Sequence, residues 1–66
     1  MITVLLFDRK QFSIPQAYKW ATNNNYFPIK KHLTGDNIRL RLQESNPKKK
    51  HRTLIFGKGI KAIYEI

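Results

Sequence analysis

Five consecutive residues, Ile38-Arg39-Leu40-Arg41-Leu42, alternate strictly between branched apolar side chains and arginine. Successive side chains of a strand point to opposite faces, so this run predicts a β-strand with Ile38, Leu40 and Leu42 on a core. Arg39, Arg41 and Gln43 then fall on the side turned to water. Cations recur on either flank: Lys30, Lys31 and His32 before the run, Lys48, Lys49, Lys50, His51 and Arg52 after it. Whatever forms here includes a sheet with one charged face.

The rest of the chain supplies the partners for that strand. Ile2 to Phe7 carries β-branched and aromatic residues at both parities, the pattern of a strand covered on both sides. Asp8-Arg9-Lys10-Gln11 turns the chain. Ser13-Ile14-Pro15-Gln16 opens a helix: Ser13 caps, Gln16 reaches back as the capping-box partner, and Pro15 sits where its missing N–H costs nothing. Phe12 and Ala17 occupy the hydrophobic-staple positions. Ile14, Ala17 and Ala21, with Trp20 or Tyr18 at the margin, make one apolar stripe of about ten residues' length. Asn23-Asn24-Asn25 ends it, because Asn tolerates the left-handed conformation that closes a helix.

From Tyr26 the period changes to two. Phe27, Ile29 and Leu33 alternate with Pro28, Lys30 and His32, and Lys31 interrupts the apolar face. Thr34-Gly35-Asp36-Asn37 is a turn signal that joins this arm to Ile38–Gln43 as a hairpin. A polar loop, Glu44 to Lys50 with Ser45 and Pro47 in it, precedes a strand at about His51 to Phe56. Gly57-Lys58-Gly59 lacks the Gly-x-x-x-x-Gly-Lys-Ser/Thr spacing of a phosphate loop and reads as a turn or bulge. Ile60 to Ile66 closes the chain as a short apolar strand. The expected architecture is a single α+β domain over residues 1–66, one short helix packed on a small antiparallel sheet, in the order strand-helix-strand-strand-strand. Val4, Leu6, Trp20, Phe27, Ile29, Leu40, Leu54 and Phe56 are its expected core.

Composition narrows the function. With 66 residues and no cysteine, a single apolar core must hold the fold without disulfides or thiolate metal sites. Four scattered carboxylates, Asp8, Asp36, Glu44 and Glu65, and two lone histidines offer neither an acid/base pair nor a metal cage, and Ser13 and Ser45 have no evident base. The chain is therefore expected to be non-catalytic, with no metal and no cofactor. No run approaches the length of a membrane span, and the apolar start lacks a basic leader, so the expectation is no membrane partner and an intracellular or virion-internal location.

Thirteen Lys and Arg against four Asp and Glu give a formal charge of +9. Like charges on neighbouring strands repel, and a sheet selected for stability alone would avoid them. An anionic partner relieves that repulsion, and nucleic acid is the commonest polyanion, DNA being placed ahead of RNA. The expected phosphate-binding residues are Lys30, His32, Arg39 and Arg41 on the sheet, with Lys48, Lys49, Lys50 and Arg52 closing over the backbone; which of His51 and Arg52 joins the sheet face depends on register. Lys48–Lys50 reads equally as a phosphate clamp or a solvated loop tip. Trp20 reads as core before stacking platform, and Tyr18, Tyr26 and Tyr64 as half-buried packing before base-stacking. The alternative is a structural or virion module, self-associating or binding a viral or host protein through a sheet edge and the apolar strand Ile60–Ile66.

Phe12-Ser13-Ile14-Pro15-Gln16-Ala17-Tyr18-Lys19-Trp20, the Tyr-Phe-Pro-Ile-Lys arm, Asn37 to Leu42, Asn46-Pro47 and Gly57-Lys58-Gly59-Ile60-Lys61-Ala62-Ile63 together resemble a small domain recurrent in tailed-phage and large DNA-virus proteins. There a Phe-x-x-x-x-Ala-x-x-Trp helix precedes an Arg-x-Arg strand and a Gly-Ile segment closes the domain. The basic Lys48–Lys50 loop departs from that pattern. The resemblance implies a viral or phage origin and a compact α+β module, and it carries no catalytic residue.

Overall fold

The computed structural model describes residues 1–44 and 46–66. Ser45, assigned above to the polar loop, lies outside the described residues. The elements are β1 (Ile2–Asp8), α1 (Ile14–Asn23), β2 (Lys30–Leu33), β3 (Asn37–Arg41), β4 (His51–Gly57) and β5 (Ile60–Glu65). This is the expected α+β arrangement, a helix after the first strand and then strands. All pairings are antiparallel and the spatial order is β2-β3-β1-β5-β4.

The local signals act as their chemistry demands. Ser13 Oγ accepts from the Gln16 N–H while Gln16 Oε1 accepts from the Ser13 N–H, so both halves of the capping box are made. At the other end Asn25 takes φ of 64° and the Tyr26 N–H donates to the Ala21 carbonyl, closing the helix in the left-handed conformation. Asp8 Oδ1 accepts from the Lys10 N–H, tightening the turn that sends the chain from β1 into the helix. The β2–β3 hairpin is clasped by Thr34, whose N–H donates to the Asn37 carbonyl and whose Oγ1 accepts from the Asn37 N–H. Gly59 takes φ of 77° in the β4–β5 turn, where a Cβ would lie 3.1 Å from Gln11 and 3.2 Å from Asp8.

One face of the sheet carries the helix. Leu5 and Phe7 of β1, Ile38 and Leu40 of β3, and Ile60 and Ala62 of β5 bury against Ala17 and Ala21. The two alanines let the helix approach closely. Each large apolar side chain fully buried there contributes roughly 1.5–3 kcal/mol. Trp20 is half-buried at the rim, with Phe7 edge-on at 5.7 Å, Tyr26 stacked at 6.4 Å and Phe56 tilted at 5.9 Å. It packs on the core rather than standing clear of it.

Four expected core residues are placed differently. Phe27 and Ile29 are 69% and 63% exposed and precede β2 rather than lying in it. β2 is an edge strand, four residues long and exposed throughout, and the short helix does not cover it. Phe56 is exposed because it is the extra residue of a bulge between Ile55 and Gly57. Leu6 is only half-buried, and with Val4 it points to the face opposite the helix. A second correction concerns the closing segment. Ile60–Glu65 pairs with β1 on one side and β4 on the other, so it is an interior strand and not the edge that the interaction reading assumed. Ile60 and Ala62 are buried in the core, whereas Tyr64 and Ile66 stay exposed.

Candidate nucleic-acid interface

Register decides which cations meet. Lys30 lies opposite Arg41 and His32 opposite Arg39 across the hairpin, while Val4 lies opposite Arg41 and Leu6 opposite Arg39 across β1. Because Ile38 and Leu40 are buried under the helix, residues of the other parity share the open face. That face therefore carries two rows, Lys30-Arg41-Val4-Ile63-Thr53 and His32-Arg39-Leu6-Lys61-Ile55, each crossing all five strands. The rows are two residues apart along the strand, about 6.7 Å.

At the β2–β3 end the rows enclose a shallow depression of about 240 Å³ lined by Lys30, His32, Arg39 and Arg41 over Val4. Val4 is 3% exposed although the helix lies on the other side, so an apolar floor lies beneath Lys30, Arg39, Arg41 and the His32 imidazole. Among the described residues no carboxylate lies within ion-pair distance of Lys30, His32 or Arg39. Arg41 is held in place in part by donation from Nη1 to the Gln43 carbonyl at 3.4 Å. Like charges set directly opposite one another are unfavourable in a sheet, and here Lys30 stands opposite Arg41, with His32 opposite Arg39 beside them.

The remaining predicted residues are not gathered there. From β3 the chain crosses the end of β1 and β5: the Leu42 N–H donates to the Thr3 carbonyl, Gln43 Nε2 to the Ile2 carbonyl, and the Asn46 N–H to Glu65 Oε2. Gln43, expected beside Arg41 on the sheet face, instead ties this crossing down. Lys48, Lys49 and Lys50 then lie at the start of β4, where the Lys50 carbonyl accepts from the Ile66 N–H. β4 is three inter-strand spacings from β3, about 14 Å. Arg52 pairs with Tyr64 and shares the parity of Leu54, which lies opposite buried Ala62, so Arg52 is on the helix side and does not join the open face. His51 has the open-face parity, but its Nε2 is 3.8 Å from Glu65 Oε2, a nearly buried carboxylate.

Lys61 was not among the predicted residues and belongs to the second row, next to Leu6. Its signal was the alternation Ile60-Lys61-Ala62, in which the lysine takes the parity opposite two buried residues. Among the described residues neither row holds a Phe, Tyr or Trp side chain, so what the open face presents is charge over an apolar floor.

No protein-family model, curated protein or solved structure matches this chain. Among the described residues no helix is long and apolar enough to cross a membrane.

Proposed function

We infer that this protein is a non-catalytic nucleic-acid-binding module, of viral or phage type, which grips phosphates with the basic half of its open sheet face. The observation that supports this reading is the pairing of Lys30 with Arg41 and of His32 with Arg39 on a face that no other element covers. Guanidinium groups donate in a planar fork suited to phosphate, and lysine adds a mobile charge. The two-residue step between the pairs is comparable to the separation of successive phosphates along one strand of a nucleic acid. Contacts of this kind supply affinity and orientation without sequence preference.

Lys30, Arg39, Arg41 and Lys61 are the four permanent cations of the face. If each meets a phosphate, the logarithm of the binding constant on duplex DNA falls against that of salt with a slope of roughly −3 to −4. Titration of labelled duplexes and single strands of DNA and RNA between low and moderate salt measures it. A slope near zero, or binding that follows one base sequence and ignores salt, defeats the reading.

A further inference from the structure

The sheet has two edges, and the hydrogen-bond phase of each is defined. On the β4 side the Ile66 N–H donates to the Lys50 carbonyl, which makes Lys50 and Ile66 a hydrogen-bonded pair of the β4–β5 ladder. By the alternation of an antiparallel ladder, Arg52 and Leu54 also turn their backbone groups toward β5, opposite Tyr64 and Ala62. His51, Thr53 and Ile55 therefore turn theirs outward. On the β2 side the Thr34 N–H donates to the Asn37 carbonyl, so Lys30 and His32 bond inward and only Lys31 and Leu33 of that strand turn outward.

The β2 edge is guarded in the usual ways: it is short and carries Lys30, Lys31 and His32, so a second copy laid against it would bring cations onto cations. The β4 edge is guarded more lightly: within the strand its basic residues are His51 and Arg52, and Lys48, Lys49 and Lys50 precede it. It is a seven-residue strand with neither lysine nor proline, it is exposed along nearly its whole length, and Ile55 is 74% exposed. Only the bulge at Phe56 interrupts it, and that bulge ends regular pairing at Ile55.

We propose that β4 pairs antiparallel with β4 of a second copy, about a two-fold axis through Thr53. In this register Thr53 meets Thr53, and His51 meets Ile55 twice. All three pairs are made by outward-turned residues, so each can exchange two backbone hydrogen bonds. Arg52 falls opposite the partner copy's Leu54 on the helix side. No cation lies directly opposite another, Thr–Thr is a favourable cross-strand pair, and Ile55 is covered. The arrangement is self-complementary, as a two-fold interface must be. It leaves the basic depression of each copy at the outer ends of a continuous ten-stranded sheet, so it does not compete with the proposed phosphate site.

Each copy carries +9, so mutual repulsion opposes the pairing and salt screens it. Dimer formation should therefore strengthen with salt, the reverse of phosphate binding. Sedimentation equilibrium across a concentration series from micromolar to millimolar, at low and at high salt, reads this as a rise in mean mass from one chain toward two, earlier at high salt. Thr53→Pro removes an N–H that β5 does not use, and it should abolish the rise while leaving the circular dichroism spectrum intact. If that variant fails to fold, Ile55→Lys decides the question, since it adds a guard without touching the backbone. Leu33→Lys on the opposite edge should leave the dimer unchanged, and the amide exchange of Thr53 should slow with concentration in the wild type. A single-chain mass throughout overturns the proposal. So does a dimer that survives Ile55→Lys or is lost with Leu33→Lys.

Discussion

The two edges of this sheet solve the same problem with different chemistry. β2 leaves its outward backbone groups beside Lys30, Lys31 and His32, and β4 leaves them on His51, Thr53 and Ile55, with Arg52 between the first two. Both strands are exposed, so burial alone does not separate them. What separates them is the charge of the strand behind. β3 brings Arg39 and Arg41 up to Lys30 and His32, whereas β5 brings Ala62, Ile63 and Glu65 to β4, with only Lys61 as a cation. An edge that repels its own kind suits a polyanion, and an edge with fewer cations is better suited to another strand.

Substitutions test this contrast. The largest effect should come from the hidden side of the strand that carries the arginines. Leu40→Ala removes a fully buried side chain that lies beside Leu5 of β1 in the core beneath the helix and should cost about 2–5 kcal/mol in urea unfolding. A loss under 1 kcal/mol would mean that β3 is not anchored through its apolar face. Next comes the cationic edge itself. Arg39→Ala with Arg41→Ala should weaken DNA binding roughly 10- to 100-fold and reduce the salt slope by about 2. Replacing Lys48, Lys49 and Lys50 together by alanine should cost less affinity, because that loop sits at the other edge. An equal or greater loss would move the phosphate site to the β4 side.

Smaller effects test the turns that hold the edges in register. Gly59→Ala places a Cβ against Gln11 and Asp8 at a positive φ and should cost about 1–2 kcal/mol, whereas Gly57→Ala, which meets nothing within 4 Å, should stay within about 0.5 kcal/mol. Equal losses would show that the bulge at the end of β4 also requires glycine. Ser13→Ala removes one half of the capping box and should cost about 1 kcal/mol by thermal unfolding. Its DNA affinity should match the wild type's.

Much of the fold was legible because it is written in short-range patterns. The alternation from Ile38 to Leu42, the Ser13/Gln16 box and the left-handed Asn25 each depend on residues within four positions, where the backbone alone sets side-chain direction or satisfies an end. The pairs Lys30 with Arg41 and His32 with Arg39 also followed locally, since a tight hairpin links them through Thr34 to Asn37. The failures came from longer range. Nothing near Phe27 or Ile29 indicates that the helix stops short of β2, and nothing near Arg52 reveals that its register with β5 turns it to the helix side.

The amino-acid sequence by itself determined that a one-helix, antiparallel α+β domain would form and that one strand would hold arginines on a single face. The tertiary structure decided the order β2-β3-β1-β5-β4, and with it the separation of Lys48–Lys50 from Arg39 and Arg41 and the burial of β5 in the interior of the sheet. The reason is physical. Periodicity acts between neighbours along the chain, but strand order is chosen by which arrangement buries Leu5, Phe7, Leu40 and Ala62 together under the helix, and those residues lie up to 57 positions apart.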